Sequence, residues 1–135
     1  MNLQESEPSM KPILCLDFDG VCHSYTSGWK GVDVIPDPYV PGLFEFLDEA
    51  CKVFDIQIFS SRSSQKGGRE AMLAWFCNQR KAWREAGGQG GEVLKISFPK
   101  EKPPAFISID DRAITFTGEW PDISDLRSFK PWNKI

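Results

Sequence analysis

The stretch Ile13-Leu14-Cys15-Leu16-Asp17-Phe18-Asp19-Gly20 decides how this chain folds. Four apolar residues in a row, without alternation, are the pattern of a strand covered on both faces, as in parallel sheets. The run then stops at two acids separated by one residue. Ending a buried apolar strand in carboxylates is a poor structural choice, because a buried charge must be compensated. A functional demand explains it better.

Outward from this stretch, the chain alternates strand and helix. Residues 20–42 hold seven Gly and Pro positions and read as loop. Leu43, Phe44, Leu47, Ala50, Cys51 and Phe54 recur every three to four residues, which predicts an amphipathic helix opening near Pro41. Residues 56–59 predict a second strand, ending at Ser60-Ser61-Arg62. Ala71, Met72, Trp75, Phe76, Gln79, Ala82, Trp83 and Ala86 mark the apolar face of a second helix, with Arg69, Arg80, Lys81 and Arg84 on a solvated face. It stops at the glycine-rich segment 87–91. Residues 93–98 and 105–109 predict a third and a fourth strand, the latter ending at Asp110-Asp111. A short edge strand at 115–117 and a helical turn or two over 122–129 complete the pattern. The expectation is an α/β fold with a mainly parallel central sheet.

Composition agrees with one domain. The chain has 135 residues, 41% hydrophobic and 26% charged, which excludes collagen-like, coiled-coil and disordered classes. Residues 1–11 read as a polar tail with no secretory h-region, and 12–135 as a single catalytic domain. No apolar run approaches the roughly 18 residues that span a bilayer, so no membrane partner is expected. Cys15, Cys22, Cys51 and Cys77 are scattered, contain no CxxC, and accompany a single histidine, His23. That is no zinc pattern, and free thiols fit a reducing, cytoplasmic setting. Net charge is −3, divided as −7 over residues 1–59 and +4 over 60–135. An asymmetry of this size is ordinary surface, and a nucleic-acid partner has little support from it.

In open α/β sheets, ligands bind beyond the carboxyl ends of the strands. The expected strands deliver Asp17 and Asp19, then Ser60, then Asp110 and Asp111 to those ends, with Lys102 just before the last. Carboxylates brought this close cannot all stay ionised without a cation, and an all-oxygen set suits Mg²⁺. A metal, a hydroxyl and a lysine beside a free carboxylate make a site for a phosphoryl group. An aspartate there can act as nucleophile, and a second as general acid and base.

These segments resemble the four motifs of the haloacid dehalogenase-like superfamily. Residues 13–21 resemble the first (a strand followed by DxDGV), 56–60 the second (a strand ending in Ser), Lys102 the third and 108–111 the fourth, all in family order. The resemblance implies a Rossmann-like three-layer sandwich and a phosphatase that works through an aspartyl-phosphate. It implies that Asp17 is the nucleophile and a metal ligand, and that Asp19 is general acid/base and gives the metal its backbone carbonyl. Ser60 would hold phosphoryl oxygens and Lys102 the charge, with Lys100 a rival. Asp110 would ligate Mg²⁺, with Asp111 at or near its shell, and amides around Phe18 would help cradle the phosphate. Gly20, Ser61, Arg62, His23 and Arg112 are candidate substrate contacts. Trp29, Trp120 and Trp132 lie outside periodic segments and could line a mouth.

Three rivals remain. A receiver domain places its acidic pair first and its lysine last, so the motif order excludes it. A metal-dependent nuclease or phosphodiesterase could use the same carboxylates but would not need Ser60 and Lys102. A non-catalytic binding module on the same fold would not need every position filled. The spacing also bears on the substrate. The 23 residues from 20 to 42 suffice for a flap but not for the cap domain that family members commonly insert. A minimal or absent cap leaves the site open to bulky phosphorylated substrates, small or macromolecular, unless a second subunit of a homo-oligomer covers it.

Overall fold

The structure, a computed structural model, describes residues 10–134. The expected tail therefore lies outside the described residues except for Met10 and Lys11, both exposed. Strand β1 (Ile13–Leu16) lies between β2 (Asp55–Ile58) and β3 (Ile107–Ile109) in a three-stranded sheet of order β2-β1-β3. Both pairings are parallel, with Leu14 opposite Ile56 and Ile107, and Leu16 opposite Ile58 and Ile109. The chain is therefore an α/β fold with a small parallel sheet.

Helix α1 (Leu43–Ala50) joins β1 to β2, and α2 (Gly68–Glu85) follows β2. Side chains alternate along a strand, so Leu14, Leu16, Ile56 and Ile58 share one face. They meet Phe44 and Leu47 of α1 and Met72, Trp75, Phe76 and Trp83 of α2 in one buried cluster. Each such side chain fully buried contributes about 2 kcal/mol. The opposite face carries Cys15, Gln57 and Ser108. The two helices also grip each other, through Phe44 packed on Trp83 at 5.5 Å and an Arg80–Asp48 ion pair at 3.0 Å. Arg80 is thus buried, with its guanidinium donating to the Gly91 carbonyl, and does not belong to the solvated face the sequence predicts. Its charge is tolerated there because Asp48 and a carbonyl meet it.

Helix α1 ends at Ala50 rather than reaching Phe54, because residues 51–54 close a turn in which the Phe54 amide donates to the Ala50 carbonyl. Residues 93–98 do not form the predicted third strand. Only Ser97 pairs with β2, its amide donating to Ile56 and its carbonyl accepting from Ile58. The Ile96 amide folds back onto the Leu94 carbonyl, so the segment is kinked rather than extended, and Pro99 has no amide to continue a ladder. Residues 115–117 are exposed and irregular, not an edge strand. The short helix predicted near the end is present as α3 (Ile123–Arg127), capped by the Asp122 side chain on the Ser124 amide at 2.9 Å.

Residues 20–42 contain no helix or strand beyond isolated bridges. The Ser24 amide donates to Pro38 and the Val40 amide to Cys22, which ties the two feet of a flap formed by residues 25–37. Among the described residues no helix is long and apolar enough to cross a membrane. All four cysteines are free, Cys15 and Cys22 buried and Cys77 exposed.

Candidate functional site

Asp17 follows β1 directly, and its amide donates to the Ile109 carbonyl at 3.0 Å, which locks the ends of β1 and β3 side by side. That register brings Asp110 and Asp111 against Asp17, and ligand oxygens of the three lie within 4.8 Å of one another. Gly20 makes the approach feasible. Its φ of 86° is the left-handed region, and a Cβ built there would overlap the Asp111 carboxylate.

Burial pushes the Asp17 carboxyl up to about 8, helped by its hydrogen bond with Asp111 and the charge of Asp110. The Phe18 amide, donating to Asp17 Oδ1 at 2.9 Å, opposes this only in part. That amide, expected among the phosphate donors, is thus engaged by the nucleophile candidate itself. Asp111 Oδ1 is buried with no hydrogen-bond partner. A crowded acidic trio with an orphaned oxygen is a donor set that fits a hard divalent cation.

The turn after β2 supplies the hydroxyl. Ser60 is buried, its Oγ accepts the Arg62 amide at 3.1 Å, and its own amide donates to Ser63 Oγ at 3.0 Å. Because the oxygen accepts from the backbone, the Ser60 O–H is left to donate. Cys15, Asp17, Ser60, Ser61, Lys102, Ser108 and Asp110 line one cleft of about 220 Å³. Its polar wall thus gathers a carboxylate pair and a hydroxyl from just beyond the strands' carboxyl ends, and an ammonium from the segment before β3. Lys102 borders the cleft, whereas Lys100 is not among its lining residues.

Asp19 does not join the acidic trio. Its carboxylate faces the other way and accepts from Arg62 Nε at 2.9 Å, Arg62 Nη2 at 3.2 Å and His23 Nδ1 at 2.8 Å. Burial works against its charge, but the hydrogen bonds from His23 and Arg62 and the Arg62 charge outweigh it and hold the Asp19 carboxyl below the usual range. His23 Nε2 accepts the Asp37 amide at 3.0 Å, which leaves Nδ1 as the donor to Asp19. His23 and Arg62 are both fully buried. Protein atoms occupy them, and in this conformation they offer a substrate nothing. Arg112 is exposed and lines a different groove, with Pro121, Asp125 and Phe129.

Two of the three tryptophans border the loop after β1. The Trp29 ring lies 4.5 Å under the Arg62 guanidinium, and Trp132 Nε1 donates to the Gly20 carbonyl at 2.7 Å. Trp120 packs instead on Phe116 in the exposed C-terminal segment. The Trp132 bond spans almost the whole chain, and no local sequence signal announces it. No protein-family model matches this chain, and no curated protein or solved structure does either.

Proposed function

We propose that the chain is a Mg²⁺-dependent phosphomonoester hydrolase working through an aspartyl-phosphate on Asp17, in a Rossmann-like sandwich of the haloacid dehalogenase type. The observation that carries this reading is the convergence of Asp17, Asp110 and Asp111 within 4.8 Å, the first two lining a cleft that also presents Ser60 and Lys102. A nuclease needs the carboxylates but neither the hydroxyl nor the ammonium at those places.

Asp17, Asp110 and Asp111 would hold the ion. When bound, it offsets the mutual charge of the three carboxylates and of the phosphoryl oxygens. An Asp17 oxygen attacks phosphorus, the bond to the leaving oxygen breaks as that oxygen takes up a proton from Asp19, and the acyl-phosphate forms. The Ser60 O–H and the Lys102 ammonium meet the phosphoryl oxygens as charge builds on them. In the second step water attacks phosphorus, its proton passes to a carboxylate, and Asp17 is released. Asp19, kept ionised by Arg62 and His23, has the charge state of that base once its side chain swings toward the cleft. The flap of residues 25–37 is too short for a cap domain, so the substrates served are phosphoryl groups borne by bulky molecules.

The test is hydrolysis of p-nitrophenyl phosphate, whose leaving group needs no proton, with Mg²⁺ and with EDTA. Turnover that requires Mg²⁺ and disappears in Asp17→Asn is expected. Cleavage of bis(p-nitrophenyl) phosphate with none of the monoester would overturn the reading.

A further inference from the structure

Arg62 is the most heavily engaged side chain of the site, although it touches neither the cleft nor the acidic trio. Its Nε and Nη2 hold both oxygens of Asp19, and its Nη1 donates to the carbonyls of Gly31 and Val32 at 2.8 Å each. The Trp29 ring, half-exposed at 47%, covers one face of the guanidinium and Phe18 lies 5.9 Å from its centre. Gly31, Val32 and Trp29 all belong to the flap. One buried cation therefore ties the turn after β2, the acid after β1 and the tip of the flap into a single knot. His23 pulls in the same direction, joining Asp19 to the flap's far end through the Asp37 amide.

A guanidinium with no exposure is stable only while its N–H groups are met by acceptors. Asp19 meets two of them and brings the balancing charge, and the flap carbonyls meet others. Neither side can leave without stranding the cation for the other. A lysine could not stand in, because one ammonium cannot present a planar fork to a carboxylate and two carbonyls at once.

We propose that Arg62 is a positioning residue that makes the aim of Asp19 depend on the flap. Resting on the phosphatase reading, this assigns residues 25–37 as the element through which a bulky substrate sets the acid/base group. A molecule that lifts Gly31 and Val32 frees Arg62 from two acceptors and with it the carboxylate it holds. The flap is then part of the catalytic geometry rather than a passive cover.

Hydrogen exchange tests the coupling without any turnover. The flap amides of Ser27, Gly28 and Val34 are bonded within the flap, to Asp37, Tyr25 and Gly31 respectively. In Asp19→Asn, and again in Arg62→Lys, their exchange is expected to speed up by about 10- to 100-fold, the effect of losing a charge-assisted hydrogen bond. Peptides from α2 should keep their protection. Unchanged flap exchange in Asp19→Asn would overturn the proposal.

Should both variants lose protection throughout, Trp29→Ala decides, because its ring is half-exposed and lies outside the buried core cluster. It should speed exchange of the same flap amides while α2 keeps its protection, and lower kcat on p-nitrophenyl phosphate by about three- to tenfold with KM and Mg²⁺ affinity unchanged. Unchanged flap exchange in Trp29→Ala, or faster flap exchange with kcat unchanged, would overturn the coupling. If wild-type protein hydrolyses no phosphomonoester yet Asp19→Asn loosens the flap alone, the phosphatase reading fails and the knot stands.

Discussion

Replacing Asp17 with asparagine is expected to abolish turnover and yet make the metal-free protein more stable at pH 8. The native Asp17 carboxyl holds its proton up to about 8, against 3.8 for the free group, because it is buried beside Asp111 and Asp110. Between pH 4 and pH 8 the folded chain therefore keeps a proton that the unfolded chain has released. Stability must fall as pH rises through that window and level off above it. A shift of about four units sets an upper bound of about 5 kcal/mol. Solvent screening at this partly exposed site reduces the recoverable part to about 2 kcal/mol.

Asparagine has the shape of the protonated acid. Its Oδ1 can still accept the Phe18 amide, and its Nδ2 can donate to Asp111 where the acid placed its proton. The variant thus keeps the hydrogen bonds and discards the repulsion. For a chain of this size about 2 kcal/mol corresponds to a Tm higher by about 6–10 °C. Thermal unfolding followed by tryptophan fluorescence from pH 5 to 8.5 would show the gap widening toward pH 8. Mg²⁺ should stabilise wild type by about 2.7 kcal/mol at a hundredfold excess over Kd, raising its Tm, and leave Asp17→Asn unmoved. A gap independent of pH, or a variant less stable than wild type at pH 8, would refute the mutual-repulsion argument.

Two further outcomes follow from the geometry. Gly20→Ala should cost at least about 1–2 kcal/mol through its left-handed backbone and, by displacing the Asp111 carboxylate, remove the Mg²⁺-induced rise in Tm, which calorimetric titration with Mg²⁺ would check. Lys102→Met should lower kcat on p-nitrophenyl phosphate by about 100-fold, whereas Lys100→Met stays near wild type. The reverse order would move the site lysine.

What could be read in the sequence and what could not divide along a physical line. Strands β1 and β3 and the acids that end them were legible, because an apolar run closed by carboxylates is a local pattern with one economical explanation. Residues 93–98 have the same apolar content, but whether such a run pairs depends on backbone direction. A fold-back of Ile96 onto Leu94 and a proline at 99 leave one bridge where a ladder was expected. The missing information was steric, spread over neighbours that periodicity does not weigh.

The site residues divide in the same way. Asp17, Ser60 and Asp110 border one cleft because each stands just after the carboxyl end of a strand, a position that sequence order specifies, and Lys102 joins them from the segment before β3. Arg62 and His23 follow those ends a little further on, where the sequence offers phosphate contacts or partners for neighbouring groups, and both are fully buried. Arg62 finds its acceptors in carbonyls of a glycine-containing flap and in a carboxylate 43 residues away, His23 is fixed by that same carboxylate and by the Asp37 amide, and backbone groups carry no residue signature. A sequence shows where a charge lies along the chain but not which backbone atoms fold over it. For a cation the difference is decisive. Exposed at the cleft, Arg62 would bind substrate. Buried under the flap, it can act on substrate only through Asp19, and any assay that reads Arg62 as a simple phosphate ligand, by KM alone, would look for its effect in the wrong parameter.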